Sequence, residues 1–149
     1  MNRKRNTTMV SCLNAPIPCR IDATWLHMGE LMISSDERPW GRWEEYLNEP
    51  GYRVKRIIVN PGRRLSLQRH EERSEYWVVV SGTGLATVDG EELHVGPGDA
   101  VHVARRAVHR LSNVGPTALV IMETQLGNCL ESDIVRLDDD FGRAKSTGS

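Results

Sequence analysis

Turn signals recur along the middle of this chain at intervals that suit strands and leave little room for helices. Asn60-Pro61-Gly62, Ser81-Gly82-Thr83-Gly84, Asp89-Gly90, Gly96-Pro97-Gly98-Asp99 and Asn113-Val114-Gly115-Pro116 cut residues 52–124 into short pieces. The pieces are Tyr52–Val59 (YRVKRIIV), Leu65–His70, Tyr76–Val80, Leu85–Val88, Glu92–Val95, Ala100–Val103, Val108–Leu111 and Thr117–Glu123. Short β-rich runs at roughly 8–12-residue spacing predict an all-β sandwich or barrel. Asp89-Gly90 between two such runs is a strong hairpin signal. A last short run, Asp133–Leu137 (DIVRL), precedes an acidic stretch.

The 149 residues fit a single domain. The first 20 are dominated by Ser, Thr, Asn and Pro, which predicts a partly ordered arm over residues 1–36, a folded unit over 37–143 and a disordered tail over 144–149. Within the arm, Trp25–Ile33 (WLHMGELMI) is more apolar and reads as a short helix or a strand. The N-terminus starts basic, but no apolar stretch of the ~7–15 residues of a signal peptide follows. Nor does any segment approach the ~20 apolar residues of a membrane span. The net charge of −1 offers no global field for nucleic acid or an anionic membrane. Three cysteines make no disulfide framework and suit a reducing compartment. A cytoplasmic protein without nucleic-acid or membrane partners is expected.

One strand face is polar where an apolar one is expected. Residues two apart in a strand share a face, so Gln68 and His70 point the same way, Glu75 follows after a short loop, and His109 lies on a later strand. Closure into a small barrel would let all four converge. Imidazole nitrogens with carboxylate and amide oxygens suit one divalent ion such as Zn, Mn, Fe, Co or Ni. Without thiolates, a closed structural zinc site is not expected. Each of these residues alone reads as an ordinary polar residue on an exposed sheet face.

Taken together, their spacing resembles a family. Gly62-x5-Gln68-x-His70-x4-Glu75-x6-Gly82 resembles the first cupin motif, and Ala104-x4-His109-x3-Asn113 the second. The resemblance implies a double-stranded β-helix (jelly-roll barrel), here with a short N-terminal extension. The common first histidine is Gln68 in this chain, and Ala104 and Arg106 stand where the second motif has Pro and Gly, which puts the shape of that turn in question. A narrower resemblance covers residues 38–143. RPWG (38–41), GYRVKRIIVNPGRRLSLQRHEERSEYWVVVSGTG (51–84), VHRLSN (108–113) and ESDIVRLDDDFGR (131–143) are similar to the C-terminal mannose-6-phosphate isomerase domain of the bifunctional guanylyltransferase/isomerase family. That family uses Gln in the first motif. Nothing upstream of Arg38 offers a Gly-rich nucleotide-binding half, so guanylyltransferase activity is not expected.

The resemblance implies interconversion of mannose 6-phosphate and fructose 6-phosphate through an enediol, with a metal on Gln68, His70, Glu75 and His109. A base must take the C2 proton. Glu71, Glu72 and neutral Lys55 are the candidates, and the sequence does not choose among them. The phosphate needs cations, preferably the arginine fork. Arg73, matching the family's H-x-x-R-x-E, leads, with Arg136 and Arg143 next; their plainer role is an ion pair with Asp138–Asp140. Lys55 and Arg56 alternate, so one faces the pocket. Trp40, Trp43 and Trp77 read as core or dimer contacts. A homodimer formed by exchange of the Trp25–Ile33 segment is expected. A non-catalytic cupin that binds a sugar phosphate or nucleotide sugar beside a separate mannose-1-phosphate guanylyltransferase is the rival reading. An iron-dependent dioxygenase is the third.

Overall fold

The computed structural model describes residues 32–143. Residues 25–31, with most of the apolar segment expected to exchange between protomers, and the tail at 144–149 lie outside that range. The described residues form eleven strands: β1 (Ser34–Arg38), β2 (Gly41–Glu49), β3 (Tyr52–Val59), β4 (Leu67–His70), β5 (Arg73–Ser81), β6 (Gly84–Val88), β7 (Glu91–Val95), β8 (Ala100–Val103), β9 (His109–Asn113), β10 (Leu119–Gly127) and β11 (Ile134–Asp138). One 3₁₀ turn, Glu131–Asp133, precedes β11. No helix among these residues is long and apolar enough to cross a membrane.

The strands build two antiparallel sheets, in the order β1-β2-β3-β10-β5-β8 and β11-β4-β9-β6-β7. Their inner faces enclose a core of Trp40, Ile57, Val59, Trp77, Val79, Ala86, Leu111, Leu119 and Ile121, among others. Truncating a side chain buried as deeply as Ile121, 1% exposed, costs about 2–5 kcal/mol. All-β architecture is thus as the turn spacing predicts. Trp40 and Trp77 are core residues, as expected.

The inward rows of three neighbouring strands change character at one level. On β10 the buried residues run Leu119, Ile121, Glu123, Gln125; on β5, in reverse, Val79, Trp77, Glu75, Arg73; on β3, Val59, Ile57, Lys55. The antiparallel register lines these up. Ile121 pairs with Ile57 and Val79, Glu123 with Lys55 and Trp77, and Gln125 with Arg53 and Glu75. On the facing sheet, buried Leu111 gives way to buried His109 along β9. One end of the interior is hydrocarbon and the other is ionisable. Buried charge is tolerated only when paired and hydrogen-bonded, so the polar end marks a site.

Two turns hold that end in place. Arg106 takes φ +67, the left-handed conformation a glycine adopts without strain. Its N–H donates to His70 O at 2.7 Å and its guanidinium reaches Glu71 at 3.0 Å. The turn in question therefore exists with arginine at its left-handed position. Between β4 and β5, the Glu71 and Glu72 amides both donate to Asp133, at 3.1 Å each, which ties the loop to the start of β11.

Candidate metal centre and pocket

His70, Glu75 and His109 bring one ligand atom each within 4.8 Å of one another, and all three are buried. β4 supplies His70, β5 Glu75 and β9 His109, so both sheets contribute. His70 Nε2 stands 2.9 Å from Glu75 Oε1, and His109 Nε2 3.6 Å from Glu75 Oε2. His109 Nδ1 donates to Ala107 O at 2.9 Å, leaving the Nε2 lone pair aimed inward, the arrangement metal-ligating histidines use. Burial pushes the His109 imidazole toward its neutral, ligating form, with the Glu75 charge opposing. Burial alone would raise the Glu75 carboxyl, but the His70 hydrogen bond and the charges of His109, His70 and Arg73 hold it below the usual carboxylate range. Two imidazoles and an ionised carboxylate fit a divalent ion.

Gln68 pairs with His109 across β4 and β9. Its Nε2 faces His109 Nε2 at 3.5 Å, and its Oε1 accepts from Ser66 Oγ at 2.8 Å. Rotation of the amide by half a turn exchanges the two atoms. It then presents oxygen to the cluster while nitrogen donates to Ser66. The four residues named from the motif are brought together; His70 Nδ1 is buried without a partner among the described residues.

Arg73 packs against the cluster. It is 2% exposed, donates from Nε to Glu75 at 3.2 Å and from Nη1 to Leu130 O at 2.9 Å, and has Nη2 3.3 Å from His70 Nε2. Arg73 also lines a pocket whose polar walls include Gln68, Glu75, Glu123, Gln125, Lys55, Glu131, Arg38, Arg136 and Arg143, with Trp43 among its apolar ones. Its space, open solvent at the mouth included, is about 540 Å³.

The other sequence-named residues divide between pocket and surface. Lys55 faces in, its Nζ 2.7 Å from Glu131 and 4.5 Å over the Trp43 ring; Arg56 faces out, 2.7 Å from Glu44. Arg136 and Arg143 both line the pocket. Arg143 is held by Asp139 at 2.6 Å, the ion pair its plainer role called for. Arg136 Nε is buried without a partner among the described residues. Burial, and then the neighbouring Arg143 charge, lower its pKa. Glu72 does not reach the pocket: it is exposed and binds Asn128. Glu71 is likewise outside, held by Arg69 and Arg106, both at 3.0 Å. The loop carboxylates proposed as bases thus face solvent, because their backbone amides are turned toward Asp133.

Glu123, Gln125, Glu131, Trp43 and Arg38 were not singled out as site residues from the sequence. Gln125 Nε2 bridges two carboxylates, 2.6 Å from Glu123 Oε1 and 3.4 Å from Glu75 Oε1. Burial first, and the Glu75 charge second, push the Glu123 carboxyl up to about 8, with Lys55 and Arg73 pulling the other way. The signal was present as unbroken alternation, Leu119-x-Ile121-x-Glu123-x-Gln125, in a strand that runs to Gly127 rather than ending at Glu123.

Comparison with known proteins agrees with this geometry. The family described as mannose-6-phosphate isomerase C-terminal matches residues 30–139. The mannose-1-phosphate guanylyltransferase ManC of Salmonella typhimurium is 41% identical over 107 residues, 71% of this chain and 22% of that protein. The chain therefore spans about a fifth of the length of the curated relatives it matches. Among solved structures, a Klebsiella pneumoniae protein with a double-stranded β-helix domain superposes with a TM-score of 0.54 at 23% identity, covering 57% of this chain and 76% of that one. The capsular polysaccharide assembling protein CapF of Staphylococcus aureus gives 0.65 at 20% identity, over 71% and 34%. At such identities the structures show the fold, a cupin barrel.

Proposed function

This chain belongs to the mannose-6-phosphate isomerase C-terminal family, and on that premise we propose that it interconverts mannose 6-phosphate and fructose 6-phosphate. The observation that carries the reading is the meeting of a buried His-Glu-His cluster with an arginine-walled pocket at the polar end of the barrel. His70, Glu75 and His109, with Gln68 through its amide oxygen, would hold one divalent ion. Such an ion supplies a Lewis acid for the oxygen charge that develops as the aldose becomes an enediolate.

The remaining work falls to the chain's own groups. Arg136 offers a guanidinium to the phosphate, and Arg143, its Nε and Nη2 held by Asp139, adds positive charge beside it, as does Arg38. Arg73, anchored on Glu75 and on the Leu130 carbonyl, fixes the carboxylate and presents a cation to the sugar oxygens. Trp43 and Lys55 close the side of the pocket and exclude water from the sugar. The chemistry suits a protein of the cytoplasm, where sugar phosphates are made. It also suits relatives whose names tie them to mannose 1-phosphate and to polysaccharide.

The test is a coupled assay on purified protein supplied in turn with Zn, Mn, Fe, Co and Ni. Turnover in either direction with at least one metal is expected. Sugar phosphate bound with no turnover under any of them would replace the isomerase by a binding module. Arg136→Ala should raise KM for mannose 6-phosphate about 10–100-fold, the loss of one charged hydrogen-bonded partner, while bound metal stays unchanged. An unaltered KM removes Arg136 from the phosphate site.

A further inference from the structure

Three carboxylates line the pocket, and two have evident employment. Glu75 belongs to the metal cluster, with His70, Arg73, Trp77 and Gln125 all on its oxygens. Glu131 is more than half exposed and is taken by Lys55 and Arg53, at 2.7 and 3.1 Å. Glu123 is 6% exposed, and what holds it is the Gln125 amide. The two cations whose charge it feels, Lys55 and Arg73, are bonded to Glu131 and Glu75 instead. Burying a carboxyl with so little compensation is costly. A purely structural role would be served as well by glutamine, which keeps the shape and removes the charge.

We propose that Glu123 is the acid–base residue of the isomerisation, taking the C2 proton of the bound aldose phosphate and returning it to C1. This deepens the isomerase reading and rests on it. The carboxylate oxygen receives the proton. The C2–H electron pair becomes the C1=C2 bond, and the C1=O1 π pair moves onto O1. The O2 proton then passes to O1, the O2 electrons form C2=O2, and the double-bond pair takes the proton back from Glu123 at C1. Atoms balance with no further reactant. Gln125 is the positioning residue: by holding Oε1 it fixes the carboxyl plane relative to Glu75. Glu123 is buried, lines the pocket, and is held there by the Gln125 amide. The exposed Glu71 and Glu72 lack this setting, and Lys55 is held in an ion pair.

The experiment uses the full chain loaded with whichever ion gives turnover, and compares wild type, Glu123→Gln and Glu123→Asp. Four quantities are read: bound metal by elemental analysis, mannose 6-phosphate affinity by calorimetry, kcat and KM, and exchange of the C2 hydrogen with D₂O by NMR. Glu123→Gln should keep metal and affinity yet lose kcat and C2 exchange by about 10²–10⁴-fold, the usual worth of a general base. Glu123→Asp should recover part of both, falling short because a displaced group of ~1 Å can lose about 10²-fold. Exchange in Glu123→Gln within about tenfold of wild type overturns the proposal while leaving the isomerase reading intact. Loss of metal or of sugar-phosphate affinity in Glu123→Gln also overturns it, since the residue is then structural. If Glu123→Gln does not fold, Glu123→Asp decides: kcat unchanged from wild type overturns the proposal, and a fall in kcat with KM unchanged upholds it. Wild type that binds the sugar phosphate but neither turns it over nor exchanges C2 hydrogen defeats the isomerase reading itself, and the proposal with it.

Discussion

Glu75 organises the polar end of the barrel. Its Oε1 meets His70, Arg73 and Gln125, and its Oε2 meets Trp77 and faces His109. Removing one partner of a buried ion pair typically costs about 3–5 kcal/mol, because the other charge is stranded. Glu75→Gln should therefore lose bound metal and, in metal-free protein, lower urea stability by that order. Elemental analysis and denaturation curves check the two effects separately. Glu123 gives a pH signature. Its carboxyl is raised in the folded chain from the ordinary 4.5 to about 8, so its contribution to stability is fully present below the unfolded value. It is lost as pH rises through the folded value. Metal-free Glu123→Gln, which cannot ionise, should gain in melting temperature over wild type between pH 5 and pH 8, roughly the window those two values span. A difference that stays flat across the window would show that Glu123 is ionised in the fold. The four motif residues are legible in the sequence through a spacing that resembles the cupin motifs, since each alone reads as an ordinary polar residue on a sheet face. Glu123 and Gln125 were not, since a carboxylate next to Thr124 reads as the end of a strand unless its burial is known.

At the scale of elements, the turns carry the information that residue patterns lack. β3, β8 and the Asp89-Gly90 hairpin stand where alternation and turn chemistry put them, and Asp89 at φ +49 with Gly90 at φ +86 make the turn that pair favours. β1 and β2 do not read as strands in the sequence, because SSDER and GRWEEYLNE are rich in charge and lack a clean apolar alternation. Glu44 is nonetheless 2% exposed, covered by Arg42, Arg56 at 2.7 Å and Tyr46 at 2.8 Å. Those partners lie on the strand's own face or on the next strand, and only the pairing reveals them. Arg106 makes a sharper prediction. A left-handed non-glycine costs roughly 1–2 kcal/mol, and glycine returns part of that gain as chain entropy. Its ion pair with Glu71 is largely exposed and worth little. Arg106→Gly should thus stabilise the protein by about 0.5–1 kcal/mol on denaturation. Gly82, at φ +81, goes the other way: a Cβ there would meet the Ala118 carbonyl oxygen and come to 2.8 Å from Leu119 Cα. Both contacts are backbone and cannot yield, so Gly82→Ala should be clearly destabilising in the same measurement.

For the whole molecule, the cluster joins what the backbone leaves separate. His70 and His109, with Gln68, stand on the five-stranded sheet, and Glu75 on the six-stranded one. Among the described residues no backbone hydrogen-bond ladder links the two sheets, which are held face to face by the core and by side chains such as Asn113, whose Nδ2 reaches Val59 O at 2.8 Å. An ion bound by residues of both sheets would act as a staple between them and bind the folded chain alone. Mass action then stabilises the fold by about 2.7 kcal/mol when free metal is 100 times its dissociation constant. At ~60–80 kcal/mol unfolding enthalpy per 100 residues, each kcal/mol moves the melting point of a domain this size by about 3–6 °C. Titrating a divalent metal into chelator-treated protein should raise the melting temperature steadily with metal concentration. His109→Ala should abolish the rise while leaving the metal-free melting curve cooperative. If instead the variant keeps the full metal-dependent shift, the ion is seated elsewhere, and the two sheets meet without it.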